Sequence, residues 1–381
     1  MICNAYPSYG SLYRNGFIHR RVKGYQEQGV TVEVFYNHQP VGTPYTYEYD
    51  DVKVTVGNDE ALEAVVSESS FDIYLVHFAE PSRITPLRRA RVSQPVVVWI
   101  HGFEAEAWYR RWFNFLDSPG QARELLERRE KYFSTQNEFF HDLANDQSLD
   151  VHFVNVSEWF RTMIVEPDNR VDLSDSVTIH NFIDTDLFKY EEKTTSDRLS
   201  ILSIRPFASY KYANDQTVEA ICELSKRPFF NELEFTVCGE GRYFPETVAP
   251  LRSFSNVKLV NKFLSQTEVY KLHREHGVFL APTRFDSQGV SMCEAMSSGL
   301  VPVSTATAAI PEFVDDRCSG LLAAEEHSVG LADAIEELYF DPEFFQELSS
   351  SASVAIQNKC GKTATIDKEI ELMRELVESI G

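Results

Sequence analysis

The sequence has no closely paired cysteines, no long apolar run and no surplus of positive charge. Its six cysteines, Cys3, Cys222, Cys238, Cys293, Cys318 and Cys360, are scattered without a Cys-x-x-Cys pair. That spacing points to neither a zinc ribbon nor a disulfide framework and leaves reduced, buried thiols. No stretch reaches the roughly 18 consecutive apolar residues that a membrane-spanning helix needs. The opening run from Met1 to Pro7 has neither the basic start nor the apolar core of a signal peptide. The expected location is therefore cytoplasmic, with peripheral contact at the inner face of the membrane left open. Lys and Arg number 36 against 58 Asp and Glu, a formal net charge of -22. That sign argues against a nucleic-acid-binding face while still allowing a local basic pocket.

At 381 residues, 43% hydrophobic and 25% charged, the chain reads as globular and too long for one compact core. Short apolar runs alternate with amphipathic ones. Strands are expected over 30–35, 72–78, 95–100 and 151–156, with helices over 16–28 and 121–145. A polar stretch over 189–197 reads as a linker. The rhythm then restarts, with strands expected over 199–204, 233–238, 257–260, 278–282 and 301–305, and helices over 215–225 and 266–276. Nearly continuous apolar strands between helices imply parallel sheets covered on both faces. The expected division is 1–188, 189–360, and a C-terminal helix within 361–381 that packs back on the first domain.

The stretch 283–299 carries the most chemistry. A strand end is followed by a loop with Asp286, then a helix start near Gly289. Glycine lets backbone approach a ligand, and the first helical turn offers unpaired N–H groups to an anion. Glu294 lies about one turn into the helix, within reach of a ribose hydroxyl, and Asp286 is placed for sugar hydroxyls. The alternative is that Asp286 and Ser287 only cap the helix. The segment Trp108, Tyr109, Arg110, Arg111 and Trp112 likewise has two readings. One is arginine stems packed over core aromatics; the other is an acceptor-side or membrane-facing patch.

These residues resemble the retaining GT-B glycosyltransferases of family 4, the glycosyl transferases group 1. Asp286, Gly289, Glu294, Ala295, Met296 and Gly299, with Pro302-Val303 following, are similar to the signature E-G-F-G-L-x-x-x-E-A-M-A-x-G and its trailing P-V. Aspartate replaces the first glutamate, and Gln288 replaces the aromatic. Ser203-Ile204-Arg205, Lys211 and Asp215 resemble G-R-L-x-x-x-K-G-x-D, with Ser203 and Tyr212 in place of the glycines. Gly239-Glu240-Gly241 resembles a G-x-G turn, and His180 to Phe188 the P-N-G-V-D-x-x-x-F junction between domains. That junction accounts for Asp184 and Asp186 without a metal. In the first half, Asn15-Gly16-Phe17 and Trp99-Ile100-His101-Gly102 resemble the family's opening loop and T-x-H-G loop.

The resemblance implies two Rossmann-like domains facing an interdomain cleft, and transfer of a hexosyl unit from a nucleotide-sugar, UDP favoured. The acceptor would be a glycan or lipid-linked molecule in surface polysaccharide biosynthesis. It further implies catalytic roles for His101, Arg205, Lys211 and Asp286. Donor contacts fall to Gly16, Arg205, Lys211, Gly239, Asp286, Gly289, Val290, Ser291 and Glu294. Neither cofactor nor metal is expected, because the two cations would neutralise the leaving diphosphate. A sugar phosphorylase or epimerase on the same fold, and a non-catalytic nucleotide-sugar-binding protein, remain the alternatives.

Overall fold

The computed structural model describes residues 1–11, 14–111 and 118–379, and it resolves into two compact units. Trp112 lies outside the described residues. The first unit comprises Met1–Arg110, Glu124–Phe182 and Lys362–Gly381; the second comprises Arg111–Arg123 and Ile183–Gly361.

The first unit is built on eight strands: β1 (Ile2–Cys3), β2 (Val34–Asn37), β3 (Tyr45–Tyr49), β4 (Val52–Gly57), β5 (Tyr74–His77), β6 (Val96–Ile100), β7 (Val151–Asn155) and β8 (Val177–Thr178). They order as β3-β4-β2-β1-β5-β6-β7-β8, parallel throughout except for the antiparallel β3–β4 hairpin at the edge. Strand β6 reads Val-Val-Val-Trp-Ile and every residue in it is buried, as a central strand covered on both faces requires. The strand order reverses between β1 and β5.

The second unit carries β9 (Ser200–Ile204), β10 (Glu234–Gly239), β11 (Val257–Asn261), β12 (Val278–Leu280), β13 (Val301–Thr305) and β14 (Leu321–Ala323). All are parallel, in the order β11-β10-β9-β12-β13-β14. Relabelled within the unit this is 3-2-1-4-5-6, the doubly wound dinucleotide-binding topology. Its reversal lies between β9 and β12, and ligands of such sheets bind beyond the strand ends at that point.

Several local expectations shift. After its first passage at Arg111–Arg123 the chain returns to the second unit at Ile183, ahead of the polar stretch 189–197. That stretch packs within the second unit: Lys193 is buried and donates to the His273 carbonyl at 2.6 Å. The helix expected over 121–145 forms as Pro119–Arg128 and Ser134–Ala144, with a wide π turn at Arg129–Phe133 between them that buries Phe133. The first strand after helix Gly16–Glu27 starts at Val34 rather than residue 30, because Val30 N–H still caps that helix through the Tyr25 carbonyl.

Helix Ile366–Glu378 belongs to the first unit, where Glu369 is fully buried against Arg21, Nε to Oε1 2.9 Å. Tyr25 donates to the other oxygen at 2.5 Å, and Trp99 Nε1 to Oε1 at 3.3 Å. Gly24 makes the approach possible: a β-carbon there would meet Ile366 at 3.2 Å.

Candidate functional site

In the second unit, the residues singled out in the sequence converge on the β9/β12 reversal. Arg205 directly follows β9, and its N–H bonds the Cys238 carbonyl of neighbouring β10 at 3.1 Å. The chain turns so tightly here that a β-carbon on Gly239 would lie 2.0 Å from the Arg205 carbonyl oxygen, and one on Gly241 2.2 Å from the Phe207 carbonyl carbon. The Gly-x-Gly turn is therefore explained by backbone packing that fixes Arg205, and Gly239 faces protein in this structure.

The Arg205 side chain is only 4% exposed. Nη1 donates to Ser291 Oγ at 3.4 Å, and Nη2 lies 3.7 Å from Asp286 Oδ2. Among the described residues, Nε and Nη2 have no hydrogen-bond acceptor. A buried guanidinium with open N–H groups is costly unless something arrives to accept them. Lys211 lies on the following turn, half-buried, with no carboxylate partner among the described residues. Both cations lie over the Tyr212 ring, Arg205 at 5.2 Å and Lys211 at 5.1 Å from its centroid.

Arg284 ties the two site loops together. Its guanidinium grips Asp215 through two bonds of 2.8 Å, reaches Glu326 at 2.7 and 2.8 Å and bonds the Tyr210 carbonyl, while its own N–H bonds the Lys211 carbonyl at 2.9 Å. These carboxylates raise the Arg284 pKa against the opposing effect of burial. The Lys211 turn is thereby fixed to the loop after β12. Arg284 lies outside the motif that holds Asp215, and its neighbours are set by the fold rather than by sequence spacing.

The loop after β12 ends at Gly289, held left-handed (φ 77), and helix Val290–Ser297 begins there. The first-turn N–H groups of such a helix lack intrahelical acceptors and favour an anion. Asp286 Oδ1 accepts from the Gly289 and Gln288 N–H groups at 2.9 and 3.3 Å. The capping reading therefore holds for that oxygen, and Oδ2 faces Arg205. Glu294 sits half-buried one turn into the helix.

In the first unit, Gly16 opens helix Gly16–Glu27, and a β-carbon there would meet nothing within 4 Å among the described residues. His101 follows β6 and is packed against Phe17 and Phe78, with ring centroids 5.0 and 4.7 Å away. Phe78 is held at φ 57, an uncommon conformation for an aromatic residue, and its carbonyl accepts from Arg83 at 2.7 Å. His101 Nε2 and His77 Nδ1 are 2.8 Å apart, and Asn181 also hydrogen-bonds the His101 ring. Burial, with Arg21 adding repulsion, holds His101 well below the usual histidine range. Its imidazole is thus neutral and engaged inside the unit. Glu104 accepts from the N–H groups of His101 and Gly102 at 2.6 and 3.1 Å, and burial raises its carboxyl to about 7.

Of the aromatic-basic segment, Arg110 is bound by Asp168 (2.8 Å) and lies over Tyr109, and Arg129 lies over Trp108. Arg110 and Arg129 are thus committed to protein partners, while Tyr109 is 48% exposed and Trp108 only partly buried, so these aromatics are not part of the core. No helix among the described residues is long and apolar enough to cross a membrane.

Residues 199–341 match the family Glycosyl transferases group 1. The fold is GT-B. Over 96% of its length the chain resembles sucrose-phosphate synthase from Thermosynechococcus elongatus, covering 94% of that chain with a TM-score of 0.74 and 13% identity. HepE of Anabaena, solved with UDP and glucose, gives a TM-score of 0.67 at 13% identity, covering 98% of each chain. Among curated relatives, alpha-D-kanosaminyltransferase of Streptomyces kanamyceticus is 22% identical over 182 residues, 47% of this chain and 46% of that one. The chain spans between 32% and 46% of the length of the curated relatives it matches. The family match coincides with the unit whose site residues converge.

Proposed function

We propose that this chain is a retaining GT-B glycosyltransferase of family 4, of hexosyltransferase type. It takes a sugar from a nucleotide-diphosphate donor, UDP favoured, and delivers it to a glycan or lipid-linked acceptor in surface polysaccharide biosynthesis. The observation that carries the reading is Arg205: a buried guanidinium with two open N–H positions, beside a half-buried lysine and a helix N-terminus. That set suits the diphosphate of a nucleotide-sugar. HepE, of similar fold, was solved with UDP and glucose, and this supports uridine as the base.

In the reaction, the bond from the sugar's anomeric carbon to the phosphate oxygen breaks as the acceptor oxygen forms a bond on the same face. The acceptor's proton passes to the departing phosphate. Arg205 and Lys211 meet the charge that grows on that phosphate, and they do so without a metal ion. Glu294 binds ribose, and Asp286 Oδ2 is the carboxylate oxygen left for the sugar.

One observation favours a second reading, nucleotide-sugar binding without turnover: the His101 ring is already bonded to His77 and Asn181.

The test is melting temperature with UDP, GDP and ADP, each with magnesium or with EDTA, followed by a donor-turnover assay. The expected outcome is stabilisation by UDP that survives EDTA, about 2.7 kcal/mol at 100 times its Kd, and is lost in Lys211→Ala. Removing one such charge-stabilising group lowers turnover by roughly 10²-fold. No shift with any nucleotide overturns the donor site. A shift without turnover across acceptors favours the binding protein.

A further inference from the structure

We infer that Tyr212 is a positioning residue: its ring holds Arg205 and Lys211 in their diphosphate-binding arrangement before any ligand arrives. The inference rests on the reading of those two cations as the diphosphate site and adds what keeps them in place.

Two cations sharing a site repel each other, and in water each long side chain would sample many rotamers. Arg205 is fixed only in part. Nη1 reaches Ser291 at 3.4 Å, and Asp286 lies 3.7 Å from Nη2, beyond hydrogen-bond range. Lys211 has no carboxylate partner among the described residues. What the two share is the Tyr212 ring, 5.2 Å from the guanidinium and 5.1 Å from the ammonium. Both distances fall within the range in which a ring's electron-rich face attracts a cation. A neutral ring suits this task better than a third carboxylate. It attracts the cations yet leaves their N–H groups free, and it adds no negative charge to repel a diphosphate.

The backbone explains how a side chain comes to be here. Tyr212 stands where the resembling motif has glycine, but the left-handed residue of this turn is Ala213, at φ 47. The demand for a positive φ therefore falls one residue later. Arg284 bonds the Tyr210 and Lys211 carbonyls and so fixes the segment from which the ring projects.

The test compares wild type with Tyr212→Phe and Tyr212→Leu. Each is titrated calorimetrically with UDP, GDP and ADP, and the nucleotide that wild type binds best is followed. Tyr212→Phe keeps the ring and is expected to bind within about two-fold of wild type. Tyr212→Leu keeps bulk but loses the ring, and its Kd is expected to rise about 5- to 30-fold. In an Arg205→Ala background the leucine penalty should shrink, because Tyr212 acts through that cation. The melting temperature of the free protein checks folding, and Tyr212→Gln replaces the leucine variant should it not fold. Equal affinity of Tyr212→Leu and wild type overturns the inference alone, as does a phenylalanine variant as weak as the leucine one. Failure of wild type to bind any of the three nucleotides overturns the site reading, and this inference with it.

Discussion

Replacing Glu369 by alanine should loosen the first unit more than any surface substitution. Both side chains of the Arg21–Glu369 pair have no solvent exposure. The carboxylate also accepts from Tyr25 and Trp99, and Arg21 Nη1 already lacks an acceptor among the described residues. Removing the carboxylate strands a buried guanidinium, which costs about 3–5 kcal/mol. The orphaned Tyr25 hydroxyl and Trp99 N–H each add a share of about 1–3 kcal/mol that partly overlaps with it. A loss of about 4 kcal/mol corresponds to a fall in melting temperature of roughly 8–16 °C for a unit of this size. Hydrogen exchange read by mass spectrometry gives the sharper assay: amides of helix Ile366–Glu378 and helix Gly16–Glu27 should lose protection together. The exposed pair Lys362–Glu27 is the control, because its side chains are 44% and 61% exposed and Lys362→Ala should cost under about 1 kcal/mol. The double variant Arg21→Met/Glu369→Leu should recover most of the loss, since a buried pair replaced by apolar groups of similar volume is often neutral. A Glu369→Ala protein within about 1 kcal/mol of wild type, with helix protection intact, would refute the argument.

Two further outcomes follow from the second unit. Gly239→Ala forces a β-carbon against the Arg205 carbonyl at 2.0 Å and should cost about 1–3 kcal/mol by overpacking, read as a lower melting temperature, with affinity at the proposed donor site falling alongside. Acid should also weaken this unit: burial, aided by repulsion from Lys193, pushes His273 down to about 3. The unfolded chain takes up that proton near pH 6.5 while the folded one refuses it. This contribution is therefore complete above pH 6.5 and declines at about 1.4 kcal/mol per pH unit as pH falls from there toward 3. Urea unfolding from pH 7 to 4 should show the slope, and His273→Gln should flatten it.

The architecture was largely legible because its strands announce themselves. Runs such as Val96–Ile100 and Val301–Thr305 are wholly buried and admit no other element of that length. The central strand Ile2–Cys3 was not legible, since two residues carry no periodicity. The edge hairpin did leave a signal that went unread. Tyr45, Tyr47 and Tyr49 alternate with Thr46 and Glu48, and Asp50 and Asp51 both adopt positive φ in the tight turn. Arg205, Lys211, Asp286 and Glu294 could be proposed from the sequence because they sit beside strand ends in short order. Arg284 and Glu369 were missed because their partners lie far away in sequence: Glu326 and Asp215 for one, Arg21 for the other. The polar run 189–197 misled for a related reason. Lys193 spends its charge on a buried carbonyl, which composition cannot report.

The return of helix Ile366–Glu378 to the first unit gives the chain a temporal order. On a ribosome, all of Ile183–Gly361 emerges before Glu369 does, so the second unit can finish folding while Arg21 still waits for its counter-charge. During that interval Trp99, Tyr25 and the apolar patch that will receive Ile366 and Ile370 stay uncovered. The second unit thus behaves as an insert within the first. The nascent first unit, rather than the second, is the one expected to need a chaperone's cover until helix Ile366–Glu378 has emerged.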